Sequence, residues 1–132
     1  MKKMTEYTDS VGEITAVMLI GFFKRWKKPH TPDDHLKILH NSDYIVLAID
    51  REKNKVVGFI TALTDNIQTA FIPLLEVLPD YRKQGIGSEL TSRMLKKLKG
   101  IPAVDLTCDP DMQKVYSKFG MKPSVGMIIR DY

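Results

Sequence analysis

Gly85 and Gly87 stand one residue apart, directly behind Arg82 and Lys83, in the stretch "LLEVLPDYRKQGIGSELTSRML". An apolar run stops at Pro79, and a helical pattern begins at once after the glycines. A helix N-terminus leaves backbone N–H groups without internal partners and carries the positive end of the peptide dipoles. An anion settles there when no side chain blocks its approach. Gly85 and Gly87 remove that block, and Arg82 and Lys83 add full charges. Gln84 and Ile86 complete the turn, and Ser88 offers a hydroxyl donor. The chemistry these residues suit is the holding of a phosphate. A Walker A loop would need a lysine after its last glycine, and a dinucleotide fingerprint would need a glycine where Leu90 stands, so neither motif fits. A plain strand-to-helix turn explains Gly-x-Gly equally well.

Other reactive side chains are few. Glu76 is the one carboxylate in the apolar run before the turn, and period-two alternation puts it on the face opposite Leu75 and Val77. It is a base or ammonium anchor if that face lines a cleft, and a partnered strand carboxylate otherwise. Cys108 is the only cysteine. A nucleophilic role for it would want a histidine partner, and none adjoins it in sequence. His30, His35 and His40 recur every five residues, a spacing that turns roughly 140° per step on a helix, so they share no ligating face and no metal is expected.

The elements that must position these groups follow from pattern. Residues 12–23, "GEITAVMLIGFF", read as a largely buried helix of about three turns. Thr31 as N-cap, Pro32 at the first position and Asp33 and Asp34 in the first turn open a second helix, along which Leu36, Leu39 and His40 recur. "YIVLAID" and "KVVGFITALTD" read as strands, the latter with Val57, Phe59, Thr61 and Leu63 on one face. "QTAFIPLLEVL" is an antiparallel neighbour, with a bulge or edge at Pro73. Ile86, Leu90, Met94 and Leu98 make one helical stripe closed by Gly100 and Pro102. "AVDLTC" is a short buried strand, and "DPDMQKVYSKFG" a compact helix with Asp109 as N-cap and Gly120 as stop. "VGMIIRD" supplies a last strand, and "MTEY" a weak first one. The whole reads as a single α/β (α+β) domain, helices around one mixed sheet.

Within that frame "VLPDYRKQGIGSEL" resembles motif A of the GNAT acetyltransferase superfamily, an Arg/Gln-x-x-Gly-x-Gly/Ala turn after an apolar strand, carried here by Arg82, Gly85 and Gly87. "VYSKFGM" resembles the family's tyrosine-bearing helix end, at Tyr116, Lys118 and Gly120. The two marks lie thirty-odd residues apart with one helix and one strand between them, and the resemblance runs from about Val56 to Gly120. It implies a mixed, mostly antiparallel sheet in which two splayed parallel strands, "LLEVL" and "AVDLTC", form a cleft for acetyl-CoA. Backbone groups of Leu75 and Val77 would pair with the pantetheine arm, and residues 82–88 would hold the pyrophosphate. An amine would attack the thioester directly, with the Val77 N–H stabilising the oxyanion, Tyr116 as general acid and Glu76 as the candidate base. Asp109 stands where the family often has a cofactor-side asparagine, and Met121 where an aromatic is common. The acceptor pocket would draw on the segment from Phe22 to Leu39, with Phe22, Phe23 and Trp26 as apolar walls.

The function implied is therefore transfer of an acetyl group to a primary amine, of a small molecule before a protein. A non-catalytic acyl-CoA sensor is the alternative. At 132 residues, 43% hydrophobic and 27% charged, the composition is that of one globular domain. Net charge is +4, with cations gathered in "KRWKK" and "RMLKKLKG". That permits polyanion binding without demanding it; a nucleic-acid role is disfavoured, since a solvated helix face accounts for the second cluster. No apolar run reaches the roughly 18 residues of a membrane span, and the start lacks a cleavage-site pattern. A lone cysteine fits a reducing compartment, so a cytoplasmic location is expected, and a homodimer stays open.

Overall fold

β2 (Tyr44–Asp50) and β3 (Lys55–Thr64) form an antiparallel hairpin at the centre of the protein. Val46 to Ile49 and Val56, Val57, Phe59 and Ile60 are all at most 2% exposed. Neighbouring residues point to opposite faces, so both faces of the sheet must be covered. Side-chain alternation in β3 is therefore not an inside–outside alternation, and of the face expected from sequence Leu63 alone emerges into solvent. The computed structural model describes residues 5–132. β1 (Thr5–Thr8) pairs antiparallel with β2; Met4, expected in that first strand, lies outside the described residues.

One face is covered by α2 (Ile86–Lys97), which packs on β2, β3 and β5 (Leu75–Val77) through Ile86, Leu90 and Met94. Leu98 continues the stripe, and Gly100 in the left-handed region ends it. Gly58 makes this approach possible: a Cβ there would lie 3.1 Å from both Ile86 Cγ2 and Leu90 Cδ1. The other face is covered by α1 (Pro32–Asn41) and the segment before it. α1 begins as its sequence predicts: the Thr31 hydroxyl accepts from the Asp34 N–H at 3.1 Å, and Pro32 takes the first position.

The segment before α1 departs from expectation. Residues 12–23 are not a three-turn helix; only Ala16–Leu19 forms a short 3-10 turn. Ile14, Met18, Leu19, Phe22 and Phe23 are buried at near-helical spacing, which is what the sequence pattern registered. The chain nevertheless turns at Gly21 (φ 116°) and Phe23 (φ 64°). The Phe23 N–H, which a continuing helix would spend on its own backbone, instead donates to Glu76.

Pro73 splits the next strand in two. β4 (Thr69–Phe71) pairs with the end of β3 and runs parallel to β6 (Ala103–Asp105). Beyond the break, β5 pairs antiparallel with the middle of β3 and has no pairing to β6. At the fork the Ile72 N–H still donates to Asp105 O at 2.9 Å, while Leu74 O already accepts from the Thr61 N–H at 3.1 Å. The result is a mixed, mostly antiparallel six-stranded sheet of order β1-β2-β3-β4-β6, with β5 alongside β3. β6 and β5 are the two splayed limbs.

The C-terminal third holds two further corrections. "AVDLTC" contributes only three strand residues, none fully buried, and Cys108 is exposed. α3 (Gln113–Ser117) follows a 3-10 turn at Pro110–Met112, and residues 121–132 form no strand. Val125 and Met127 are 98% and 99% exposed, so the β-branched run that suggested a last strand has no sheet edge paired with it here. Among the described residues no helix is long and apolar enough to cross a membrane.

Candidate active site

The antiparallel alternation between β3 and β5 decides which backbone groups face the fork. Leu78 N donates to Val57 O at 2.9 Å and Thr61 N to Leu74 O at 3.1 Å, so residues 74, 76 and 78 spend their polar groups on β3. Leu75 and Val77, between them, direct theirs outward into the gap. This edge leads straight to the N-terminus of α2. Val77 O accepts from Arg82 Nε at 3.0 Å, which folds the arginine back along the edge.

The turn itself is a left-handed bend. Lys83 (φ 62°) and Gly85 (φ 84°) both lie in the left-handed region, and Gly85 caps α2, its carbonyl accepting from the Glu89 N–H at 3.0 Å. A Cβ on Gly85 would meet nothing within 4 Å, and one on Gly87 only Val77 Cγ2 at 3.8 Å. The packed chain therefore leaves open space at both glycines, beside the first-turn N–H groups of Ile86, Gly87 and Ser88. Arg82, Lys83, Gln84 and Ser88 are exposed around it. Open space, unpaired donors and flanking cations suit a phosphate group.

Tyr81 fixes this turn from behind. Its hydroxyl donates to Asp50 Oδ2 at 2.6 Å in a buried contact, and Asp50 Oδ1 accepts from the N–H groups of Glu52 and Lys53. The Asp50 carboxylate and burial push the Tyr81 phenol up to about 12. The pair ties the Pro79–Tyr81 turn to the β2–β3 connection. Sequence reading missed it, since 31 residues separate the partners and no local signal joins them.

Glu76 projects to the face opposite α2. Its Oε1 accepts from the Phe23 N–H at 3.2 Å, and burial raises its pKa above the usual 4.5 against the opposing pull of that N–H, Arg82 and Trp26. Glu76 lines a cleft of about 470 Å³ with Gly21, Lys24, Arg25, Trp26, Lys55 and Arg82. Of the three aromatics expected as pocket walls, Trp26 alone lines this cleft. Phe22 and Phe23 are 6% and 1% exposed and pack edge-on around the buried His35 ring instead. Their apolar bulk is used to close the core between α1 and β3.

Tyr116 lies in α3, on the side of the other limb, β6. It is buried, and burial together with the neighbouring Cys108 raises its phenol above the usual 10. With Cys108, Val104 and the exposed tail it lines a cavity of about 840 Å³. Glu76 and Tyr116 therefore sit on two cavities, one on each limb of the fork. Asp109 stands at the N-cap position of the 3-10 turn, but its side chain makes no capping hydrogen bond. Among the described residues no His, Cys, Asp and Glu groups assemble as a metal site.

Comparison with known proteins gives one consistent answer. Residues 13–121 match the family model described as the acetyltransferase (GNAT) family. An uncharacterized N-acetyltransferase of Pyropia yezoensis is 30% identical over 106 residues, and one of Gracilaria tenuistipitata var. liui 28% over 94. The matched parts cover 76% and 67% of this chain, which spans little more than half the length of these curated relatives, 58% and 52%. Among solved structures, a protein of Deinococcus radiodurans R1 provisionally assigned as an acetyltransferase superposes with a TM-score of 0.91 at 38% identity, over 96% of this chain and 87% of its own. An acetyltransferase of the GNAT family from Streptococcus pneumoniae TIGR4 gives 0.74 at 26% identity, over 97% and 98%.

Proposed function

Since this chain belongs to the acetyltransferase (GNAT) family, we propose that it moves an acetyl group from acetyl-CoA to a primary amine of a small molecule by direct attack on the thioester. The observation that carries this reading is the outward edge of Leu75 and Val77, which pairs with no other described strand and runs into the open glycine turn. An extended amide-bearing arm with a pyrophosphate at its end fits that sequence of groups: the arm adds to β5 as a strand would, and residues 82–88 hold the phosphates. Acetyl-CoA supplies the activated acyl group.

The chain's own groups divide the remaining work. The Val77 N–H donates to the thioester oxygen as charge develops there, a contact worth about 3–4 kcal/mol when preorganised. Glu76, desolvated and facing the cleft, takes the proton that the incoming ammonium must lose, its ordinary pKa being about 10.4. Tyr116, kept protonated by burial, gives a proton to the departing sulfur as the C–S bond breaks. The cleft beside Glu76 lies within the range of roughly 300–1,000 Å³ typical of small-molecule sites, which supports a small amine over a protein one. No metal enters this scheme.

One observation favours a second reading. Tyr116 and Glu76 line separate cavities, as suits a domain that binds acyl-CoA as a sensor without turnover. Calorimetric titration with acetyl-CoA and desulfo-CoA, followed by a primary-amine panel scored for thiol release, separates the two. Saturable binding with release supports the transferase; binding without release across the panel supports the sensor. No binding by folded protein sinks both.

A further inference from the structure

The cleft that holds Glu76 carries more positive charge than its chemistry so far uses. Lys24, Arg25, Lys55 and Arg82 line it against two carboxylates, Glu76 and Asp80. Some cations elsewhere have partners, Arg51 with Glu6 and Glu13, Arg93 with Glu89, Lys97 with Asp9 and Lys28 with Asp131, while others stand singly on the surface. Those of the cleft are set apart by converging on one concave site. Among the described residues the side chains of Lys24, Arg25 and Lys55 make no ion pair or hydrogen bond. They come from two distant segments, the loop before α1 and the start of β3, and converge on one concave site.

Their placement is built into the fold. The left-handed bends at Gly21 and Phe23 turn the loop over β5, and the Phe23 N–H fastens it to the Glu76 carboxylate at 3.2 Å. The next three residues, Lys24, Arg25 and Trp26, are thereby presented to the cleft. The Trp26 ring packs edge-on to Phe23 with centroids 4.9 Å apart, which steadies an indole still 42% exposed. The cleft thus offers one half-buried carboxylate, one aromatic wall and, among the described residues, three cations without an ion-pair partner, its four cations outnumbering its two carboxylates.

We propose that the acceptor is an amine that also carries an anionic group, a carboxylate or a phosphate. The ammonium end meets Glu76, the anionic end meets Lys24, Arg25 and Lys55 through charge-assisted hydrogen bonds, and the connecting stem lies against Trp26. Polyamines, with a cation at each end, are rejected by the same charges. The inference rests on the acetyl-transfer reading for its outcome but not for its binding geometry.

The test exploits Trp26 as the only tryptophan of the chain, whose fluorescence reports occupancy of the cleft without turnover. Two matched pairs serve as probes, γ-aminobutyrate against n-butylamine and phosphoethanolamine against ethanolamine, each titrated with desulfo-CoA present and then assayed for thiol release with acetyl-CoA. The expected result is saturable quenching by at least one anionic member, bound about tenfold or more tighter than its neutral partner at low salt. That preference should collapse in Lys24→Gln/Arg25→Gln and, separately, in Lys55→Gln, with circular dichroism unchanged. The pair that shows it tells carboxylate from phosphate. Quenching with this preference but no thiol release keeps the anionic-ligand site and removes the transferase. Equal quenching by neutral and anionic members, or none by the anionic ones, overturns the proposal. So does a loss of acetyl-CoA affinity in the lysine and arginine variants with the amine preference intact, since the cations would then serve the phosphates of the co-substrate.

Discussion

The carboxylate of Glu76 accepts a hydrogen bond from the backbone N–H of Phe23, 3.2 Å away and 53 residues earlier in the chain. One contact thus joins the strand that faces the fork to the loop that carries Trp26 and two of the cleft's cations. Any change at Glu76 alters both the charge in the cleft and the position of the loop, and the two effects need separating.

Glu76→Gln separates them, because the amide oxygen can still accept from Phe23 while the charge is gone. We expect kcat/KM to fall by about 10²- to 10⁴-fold, the usual range for a general base, with the melting temperature little changed. The wild-type pH profile should rise through a limb lying above 4.5, since burial raises the carboxyl pKa and the basic form is populated above it. A limb of unchanged position in Glu76→Gln would assign it to another group.

Tyr116→Phe should lower kcat with acetyl-CoA affinity nearly unaltered, because the ring and its packing remain while the proton donor is lost. On the alkaline side, wild-type activity should persist to a pH above the phenol's usual 10, as burial and Cys108 both disfavour its ionisation. Comparable turnover by the variant, with chemistry shown to limit the rate, would take Tyr116 out of the acid role.

Gly58 and Gly87 predict opposite failures. Gly58→Val pushes a side chain into Ile86 and Leu90, where a Cβ alone would already sit at 3.1 Å, and should cost about 1–3 kcal/mol in denaturant unfolding. Gly87→Ala meets only Val77 at 3.8 Å, so stability should hold while calorimetry shows weaker CoA binding through the narrowed turn. Unaltered affinity in Gly87→Ala and in the bulkier Gly87→Val would overturn the pyrophosphate assignment.

Tyr81→Phe removes the buried hydroxyl that donates to Asp50 at 2.6 Å and should cost about 1–3 kcal/mol. Because the residue next to it is Arg82, hydrogen exchange across residues 79–85 should quicken as well. Exchange confined to its wild-type rate would show that the turn is held by other contacts.

His35 predicts an acid sensitivity. Its ring is fully buried among Phe22, Phe23 and Phe59, neither nitrogen is hydrogen-bonded among the described residues, and burial, aided by His30, lowers its pKa from 6.5 to about 4. The unfolded chain therefore binds a proton at higher pH than the folded one. Stability from this group is complete above pH 6.5 and declines as pH falls toward 4, by roughly 2–3 kcal/mol. His35→Phe should flatten that decline in chemical denaturation at several pH values; an equally steep variant would place the proton uptake elsewhere.

Much of the frame was legible because it is local. The Thr31–Pro32 start of α1, the stripe from Ile86 to Met94 and the break at Pro73 each follow from residues within one or two turns of each other. The glycine turn and the tyrosine helix were legible as a pair through the family they resemble, and that family is the one the chain belongs to. Where a local pattern had a distant competitor, it failed. Residues 12–23 carry helical spacing, yet the Phe23 N–H goes to Glu76 and the helix stops short. "VGMIIRD" carries strand propensity, yet propensity alone does not make a strand without an edge to pair with.

By itself, then, the sequence determined the start of α1, the β2–β3 strands, the glycine turn into α2 and the identity of the family, since these depend on backbone preferences and spacings along the chain. Only the tertiary structure decided that Phe22 and Phe23 belong to the core and Trp26 to the cleft, that Tyr81 braces the turn through Asp50, and that Lys24, Arg25 and Lys55 gather around Glu76. Those relations join residues far apart in the chain, 31 positions for Asp50 and Tyr81 and 53 for Phe23 and Glu76. Apolar burial is blind to where in the chain a residue comes from, and charges meet wherever packing of the sheet, α1 and the loop before it happens to bring them.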